Sequence, residues 1–264
     1  MHANFAGIVK PNSTEDKLLA AIDPARLPQH IAVIMDGNGR WARERGKPRI
    51  FGHRAGAESV RAIIDTCTRL EIKAATLYAF STENWKRPRY EIRALMDLLV
   101  EYLGKELQSL KKNNIQFRMI GRSEELHISV LEQIRKGELA TFQNTGLRLN
   151  IALNYGGRAE IVDAFRNIAR EVAAGRVQPD QIDDELIEHN LYTRSLPDPD
   201  LLIRTSGEMR ISNFLLWQIA YAEIHVTETL WPDFSERDLL AALVDYQRRD
   251  RRYGRIGQLA EVPA

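Results

Sequence analysis

The feature that most constrains the fold is a regular alternation of short apolar runs with longer segments of helical periodicity. Six runs rich in β-branched residues predict strands at residues 31–35, 75–80, 115–120, 148–154, 201–204 and 223–227. The segments around them predict seven helices, at residues 57–70, 91–110, 124–139, 159–173, 179–191, 213–222 and 235–253. This order favours a single α/β domain in which a mainly parallel sheet is covered by helices on both faces.

Length and composition agree with one globular domain. The chain has 264 residues, of which 44% are apolar and 28% are charged, and single α/β domains reach roughly 250 residues. Residues 1–29 are polar and contain Pro11, Pro24 and Pro28, which predicts a flexible leader with a short helix. We expect the folded domain to occupy residues 30–264.

Charge and cysteine content exclude several classes of protein. The 37 Lys and Arg residues balance 36 Asp and Glu residues, so the chain lacks the net positive field of a dedicated nucleic-acid-binding protein, and the basic clusters at residues 40–54 and 248–255 are local. Cys67 is the single cysteine, so no disulfide forms within the chain. No apolar run approaches the ~18 residues of a membrane span. We expect a cytoplasmic protein whose membrane contact, if any, is peripheral at the inner face.

The segment IAVIMDGNGR at residues 31–40 has the pattern of a strand, a tight turn and a helix start. Gly37 and Gly39 let the backbone approach a ligand closely, and Arg40 can bind phosphate oxygens through two parallel hydrogen bonds. Asp36 would repel a phosphate unless a cation lay between them. The turn therefore indicates a site for a diphosphate together with Mg²⁺.

Two alternatives remain for this turn. Gly37, Gly39 and Ala42 also satisfy the dinucleotide pattern G-x-G-x-x-G/A, although Asp36 and the long basic run fit it poorly. The turn could equally be a structural glycine turn followed by a solvated run of charges.

Polar segments also follow other strands. Ser81 to Arg87 follow the second strand, and Arg204 to Ser212 follow the fifth. Since the carboxyl ends of parallel strands meet at one sheet edge, these segments predict a second anion site. Glu223, at the start of the last strand, is a candidate second carboxylate for the metal.

These residues resemble the cis-prenyltransferase family, and within it the bacterial undecaprenyl diphosphate synthases. The resemblance runs from about residue 31 to residue 254. Its motifs are MDGNGRWA (35–42), GHRAG (52–56), YAFSTENW-R (78–87), LNYGGR (153–158), PDPDLLIRTSGE-R-SNFLLWQ-AY-E (197–223) and RRYG (251–254). Several long motifs in one order are specific to such a family.

The resemblance assigns roles to the matching positions. It implies that Asp36 engages Mg²⁺ and diphosphate, that Asn84 accepts a proton, and that Glu223 is a second metal ligand. The residues that it places around the allylic diphosphate are Gly37, Asn38, Gly39, Arg40, Trp41, Arg49 and His53. Those that flank Asn84 are Ser81, Thr82, Glu83, Trp85 and Arg87, and those that bind isopentenyl diphosphate are Arg204, Arg210, Ile211 and Ser212.

The implied reaction is electrophilic: the allylic C–O bond breaks, the isopentenyl double bond attacks, and a proton leaves to set a cis double bond. Two points depart from a simple transfer of roles. Position 209 is Met, where some members carry His, and a thioether is a poor ligand for Mg²⁺. Asn84 is a neutral amide and thus a weak base, so solvent or diphosphate could take the proton instead.

The resemblance further implies a homodimer, with Arg252 and Gly254 reaching towards the partner, and an apolar channel for the growing chain. Ala57 and Ala79 are expected near its mouth and wall, and Leu147 near its far end. Apolar stripes on helices are, however, more often ordinary core faces. Competing hypotheses are another diphosphate or nucleotide transferase, a catalytically silent subunit, and a nucleic-acid-binding protein.

Overall fold

The computed structural model describes residues 2–249, and these contain one parallel sheet of six strands in the order β3-β4-β2-β1-β5-β6. The strands are β1 (His30–Ile34), β2 (Ala74–Ser81), β3 (Gln116–Ile120), β4 (Arg148–Tyr155), β5 (Leu201–Arg204) and β6 (Glu223–Val226). Every neighbouring pair is parallel. The predicted fold class and all six predicted strands are confirmed.

Eight α-helices surround the sheet within the described residues. They are α1 (Thr14–Ala21), α2 (Asn38–Glu44), α3 (Arg49–Arg69), α4 (Arg89–Lys112), α5 (Ile128–Thr141), α6 (Gly157–Ala173), α7 (Asp184–Asn190) and α8 (Glu236–Arg248). Between residues 2 and 249, none of them is long and apolar enough to cross a membrane. The predicted end of the last helix, at residue 253, lies outside the described residues.

The sheet buries both of its faces, as its continuous apolar strands require. Alternate residues of β1 point to opposite sides, so Ile31 and Val33 join the larger core while Ala32 and Ile34 join the smaller one. The larger core includes side chains of α3, α4, α5 and α8. The smaller core is closed by Phe214 and other residues of the segment after β5.

One predicted helix, at residues 213–222, is wrong. Its place is taken by consecutive turns in which Ser212, Asn213 and Leu215 have φ angles of 47°, 62° and 46°. Non-glycine residues in this left-handed region cannot continue a right-handed helix. The apolar residues that suggested a helical face, Phe214 and Leu215, are instead fully buried against the sheet.

Helix α3 begins at Arg49, earlier than residue 57, where the sequence predicted its start. Gly52 and Gly56 lie within it because α2 packs against this face. A Cβ atom on Gly52 would stand 1.9 Å from the carbonyl oxygen of Asn38, and one on Gly56 would stand 2.5 Å from Asn38 Oδ1. The two glycines therefore serve close helix packing, which fixes the first turn of α2 against α3.

The segment before β1 is packed onto the domain, in contrast to the flexible leader expected from its polar composition. Phe5 and Leu19 are each 2% exposed and belong to the larger core. Gln247 of α8 holds the backbone of Asp23 through a pair of hydrogen bonds of 2.8 and 2.9 Å. The short helix expected here is α1, which packs against α8.

Candidate active site at the carboxyl edge of the sheet

The strand order brings the polar segments together at one point of the sheet edge. β1 lies between β2 and β5, so successive strands are added to opposite sides of it. In such sheets a crevice opens beyond the carboxyl ends of the strands where the order reverses, and ligands bind there. Asp36 follows β1, Ser81 ends β2 and Arg204 ends β5.

The turn after β1 has a positive φ angle at Gly37, a conformation that glycine adopts easily. Gly37 has a φ angle of 103°, and its amide donates to Asp36 Oδ1 at 2.7 Å. A side chain there would press within 3.1 Å of Ser206 and Leu230. α2 begins at the next residue, as the sequence indicated. The Asp36 carboxylate is thus held on a tight turn with little freedom to move.

Asp36 faces a buried guanidinium. Arg204 is 4% exposed, and its Nη2 donates to Asp36 Oδ2 at 2.9 Å. Its Nη1 donates to Ser212 Oγ at 2.8 Å and to the carbonyl oxygen of Arg210, while its Nε has no hydrogen-bond partner. The Asp36 side chain itself is 40% exposed. A fixed positive charge therefore lies directly behind an accessible carboxylate.

A second basic group lies across the crevice, at the beginning of α3 and α4. The buried carboxylate of Glu91 lies 3.2 Å from Arg87 Nη1 and 3.6 Å from Arg49 Nε. Both arginines line the cavity described below. Burial of the guanidinium is the main cause that lowers the pKa of Arg87. One acid thus serves two guanidinium groups, which leaves net positive charge for an anion.

His53 lies beside this group with its Nε2 atom buried and without a hydrogen-bond partner. Burial, and then the positive charges of Arg87 and Arg49, lower the pKa of His53 to about 4. The imidazole is therefore neutral near pH 7, and it can either donate to a ligand or accept from one. Buried polar atoms are normally bonded, so this one indicates a missing partner in the crevice.

Asn84 is fixed by a reciprocal cap at the end of β2. Its Oδ1 accepts from the backbone amide of Ser81 at 3.1 Å, and the Ser81 side chain accepts from the amide of Asn84. Because the Asn84 side-chain oxygen already accepts a hydrogen bond from the Ser81 backbone, the side-chain NH₂ group is the part of Asn84 that can bind a ligand in the crevice. This arrangement suits a hydrogen-bond donor better than a proton acceptor.

Glu83 is held from the opposite side by Asn213, whose Nδ2 donates to Glu83 Oε1 at 2.8 Å. Burial alone would raise the pKa of Glu83, but its hydrogen bonds, including that from Asn213, bring it below its usual value. Asn213 Oδ1 also accepts a hydrogen bond from the backbone amide of Arg158 at 2.9 Å. Sequence reasoning missed Asn213 because it assigned this residue to a helix, although an asparagine tolerates the left-handed conformation found here.

Arg40 and Arg210 lie at the rim. Both contact Glu208: Arg210 Nη1 donates to it at 2.6 Å, and Arg40 Nη2 lies 3.5 Å away. The Arg210 side chain is 66% exposed, and Met209 is 90% exposed. These guanidinium groups are accessible from solvent and lie near the buried Arg204, whose side chain contacts the Arg210 backbone.

The structure does not bring Glu223 to this site within the chain. Glu223 is the first residue of β6 and pairs with Leu201, whereas the carboxyl edge is marked by Arg204 and Val226. Three residues of strand separate the two edges by about 10 Å. The Glu223 carboxylate instead accepts from Arg249 at 3.0 Å. The prediction that Asp36 and Glu223 of one chain share a metal is therefore corrected.

A cavity of about 710 Å³ opens from the crevice and extends between the sheet and α3 and α4. Of the predicted site residues, it is lined by Asp36, Gly37, Asn38, Gly39, Arg49, His53, Ser81, Glu83, Asn84, Arg87, Arg204 and Ser212. Those outside its lining are Arg40, Trp41, Thr82, Trp85, Arg210, Ile211 and Glu223. Among these, Trp41 and Trp85 have structural partners, since their indole nitrogens donate to Asp233 and Asn154 at 2.7 Å.

The deeper part of the cavity is mainly apolar. Ala57 and Ala79 line it, as expected. Its far wall includes Phe117 and Leu149, whereas Leu147, predicted near the far end, is buried in the core and does not reach the wall. Other apolar lining residues are Val60, Ile64, Leu95, Met96, Leu98, Leu99, Leu103, Leu110, Ile115, Ile151 and Leu153.

Comparison with known proteins identifies the family. Residues 34–254 match the profile of the prenyltransferase family described as "Putative undecaprenyl diphosphate synthase".

The chain belongs to this prenyltransferase family.

Its curated relatives include an isoprenyl transferase from Heliobacterium mobile, 56% identical over 94% of this chain and 95% of the relative. Another is the ditrans,polycis-undecaprenyl-diphosphate synthase, (2E,6E)-farnesyl-diphosphate specific, of Escherichia coli K12. It is 52% identical over 88% of this chain and 91% of the relative. Among solved structures, lavandulyl diphosphate synthase from Lavandula x intermedia in complex with dimethylallyl diphosphate superposes with a TM-score of 0.84 at 38% identity, covering 86% of this chain and 98% of that one. The resemblance seen in the sequence is thus confirmed, and this prenyltransferase has the fold of its family. The RRYG motif at residues 251–254 lies outside the described residues.

Proposed function

We propose that this prenyltransferase condenses isopentenyl diphosphate repeatedly with farnesyl diphosphate to make a long polyprenyl diphosphate of about eleven five-carbon units. One observation carries the proposal: a cavity that begins among arginines and the carboxylates of Asp36 and Glu83 continues as a mainly apolar space between the sheet and two helices. A diphosphate needs the first part and a prenyl chain needs the second. Relatives named for this reaction, at about half identity, support the same assignment.

Two basic groups on opposite sides of Asp36 support two diphosphate sites. Arg49, His53 and the Gly37–Gly39 turn would hold the allylic diphosphate, and Arg204 with Ser212 would hold isopentenyl diphosphate. Arg40 and Arg210 would extend these sites at the rim. Holding two substrates in contact converts a collision into a reaction within one complex, which is a large part of catalysis.

Mg²⁺ fits the donors present, provided that the substrates supply most of its ligands. Asp36 offers one accessible carboxylate, and within residues 2–249 no cluster of three or more acidic, histidine or cysteine residues could hold a metal alone. Mg²⁺ is commonly bound through one or two carboxylates together with substrate phosphates and water. When bound, it would neutralise charge on the diphosphate.

The chain's own residues would act on charge and position. The guanidinium groups would stabilise the negative charge that develops as the allylic C–O bond breaks. Arg204 would keep the Asp36 carboxylate oriented towards the crevice. The Asn84 amide would position a diphosphate or water oxygen, and that oxygen would take the proton from the isopentenyl carbon.

The growing chain would occupy the deeper cavity, which we propose as the prenyl channel. We further propose a homodimer formed through the edge of the sheet at β6, because Ile224 on this edge strand is 45% exposed. We place the enzyme in the cytoplasm, with peripheral contact at the inner face of the membrane where a lipid product would leave. Nucleic acid has no role in this proposal.

The test is a turnover assay of the purified enzyme with farnesyl diphosphate and radiolabelled isopentenyl diphosphate. We expect diphosphate release and an extractable labelled lipid that both require the two substrates together and disappear when EDTA removes Mg²⁺. A catalytically silent subunit would bind the substrates without releasing diphosphate, and that result would refute the proposal.

A further inference from the structure

The volume of the cavity sets a limit on what it can hold in the conformation described here. A 150 Å³ protein cavity holds benzene, which corresponds to about 25 Å³ for each carbon atom. On this scale the 710 Å³ cavity holds about 28 carbons, or five to six prenyl units. Its outer part also contains the diphosphate crevice, so the share left for the chain is smaller still. A chain of eleven units would need about twice this volume.

The wall of the cavity is not uniformly apolar. Along the seam between α3 and α4 the lining changes to Arg61 and Asp65 on α3, and to Tyr102, Glu106 and Ser109 on α4. We refer to these five residues as the seam. The Arg61 side chain is 45% exposed and that of Glu106 is 27% exposed. These two side chains therefore extend from the wall of the cavity to solvent between the two helices.

Polar contacts join the helices across this line. Arg61 Nη2 donates to Glu106 Oε1, while Arg61 Nη1 donates to Glu58 of its own helix at 2.8 Å. Nearer the crevice, the Tyr102 hydroxyl donates to the carbonyl oxygen of Arg54 at 3.1 Å. Exposed ion pairs contribute little to stability, whereas close-packed interiors resist added volume. Of the walls around the cavity, the seam is thus the one that separates most readily.

We propose that the seam opens to let the lengthening chain pass between α3 and α4, so that the Arg61–Glu106 pair is a determinant of product length. This inference rests on the proposed function, since it concerns the length of that enzyme's product. Early condensations need only the existing cavity. Condensations beyond about six units need the opened seam, because the chain no longer fits behind it.

The test is to close the seam reversibly. Arg61→Cys with Glu106→Cys would be bridged by a short bis-methanethiosulfonate reagent, which dithiothreitol removes. Cys67 does not compete, because it is buried and burial raises the pKa of its thiol to about 12. With farnesyl diphosphate and labelled isopentenyl diphosphate, we expect the bridged enzyme to stop at about six units or fewer, and the reduced enzyme to make about eleven.

A matched control bridges Glu101→Cys to Lys105→Cys, which form an ion pair one turn apart within α4. Glu101 also lies 3.8 Å from Arg54 of α3, and the control loses this contact whether it is bridged or reduced. This bridge should leave product length unchanged. Full-length products from the bridged seam would overturn the inference, and so would loss of the first condensation, which should not depend on the seam. If the wild-type enzyme makes no polyprenyl product at all, the proposed function itself fails, and the inference with it.

Discussion

At the scale of single residues, the site depends on a carboxylate and a buried guanidinium that need each other. Arg204 is almost fully buried, and Asp36 is the charged group that balances it at 2.9 Å. Removing one partner of a buried pair leaves an uncompensated charge, which costs about 3–5 kcal/mol. Arg204 retains Ser212 Oγ and the Arg210 carbonyl oxygen as acceptors, so part of this cost is offset.

We therefore expect Asp36→Asn, rather than Asp36→Ala, to separate catalysis from folding. The amide oxygen can still accept from Arg204 but carries no charge for Mg²⁺. Turnover should fall by about 10²- to 10³-fold, a loss comparable with removal of a key charge-stabilising group. The melting temperature should fall less than in Asp36→Ala, because the amide oxygen keeps one acceptor for the buried guanidinium. Activity within a few-fold of the wild type would contradict the role of Asp36.

Arg210→Ala should weaken the binding of one substrate alone, isopentenyl diphosphate. Arg210 is exposed at the rim near Arg204, so its loss does not disturb the core. A charge-assisted hydrogen bond is worth about 1.5–3 kcal/mol, so the KM for isopentenyl diphosphate should rise about 10- to 100-fold. The KM for farnesyl diphosphate should stay within about threefold. Initial rates with each substrate varied in turn would measure this split, and equal changes in both constants would show that the two sites are not separate.

At the scale of elements, the strands could be predicted from sequence because short β-branched runs bounded by polar residues fit few other structures. Two predictions were wrong for different physical reasons. Helix 213–222 failed because burial of Phe214, not helical periodicity, determines where its apolar residues lie. Glu223 was placed with Asp36 by the family resemblance, although it begins the last predicted strand. In a parallel sheet the start of a strand lies at the edge opposite to Asp36, as the register of β6 against β5 shows.

The buried His30 on β1 gives a prediction for pH at this scale. Its Nδ1 lies 2.7 Å from the Pro197 carbonyl oxygen, which can only accept, so Nε2 is the free acceptor that faces Thr76 Oγ1 at 2.8 Å. Burial lowers the pKa of His30 from 6.5 to about 4. Between these values the unfolded chain binds more protons than the folded one. Stability is therefore retained above pH 6.5 and lost as pH falls towards 4.

Between pH 7 and pH 5, His30 alone should lower the free energy of unfolding by about 2 kcal/mol. Urea unfolding of the wild type and of His30→Gln at both pH values would measure this difference. The variant should be less stable at pH 7 but should lose about 2 kcal/mol less on acidification. His53, with a similarly lowered pKa, should titrate in the same window in both proteins. An identical pH dependence in both would contradict the assignment.

At the scale of the whole molecule, the sheet and two helices enclose the space that we propose as the prenyl channel, and its walls together with the seam should limit the size of the product. Ala79 faces this space from β2, so Ala79→Leu should shorten the product, because a larger side chain narrows the passage. Leu149→Ala removes three carbons from the far wall, which adds room for less than one prenyl unit on the scale of about 25 Å³ per carbon. It should lengthen the product by at most about one unit.

Leu147→Ala is the matched control for Leu149→Ala, since Leu147 is equally buried but lies off the wall. It should destabilise the protein by about 2–5 kcal/mol without changing product length. Chromatography of labelled products from the three variants would decide. A longer product from Leu147→Ala, or unchanged products from Ala79→Leu, would contradict the position of the channel.

The central claim is that this enzyme adds isopentenyl units in the cis configuration to farnesyl diphosphate until the product is long. The most direct measurement is mass and NMR analysis of the lipid made from farnesyl diphosphate and ¹³C-labelled isopentenyl diphosphate. The account predicts one main product of about eleven units in which every added double bond is cis. A labelled product of two to four units, or added double bonds in the trans configuration, would contradict it.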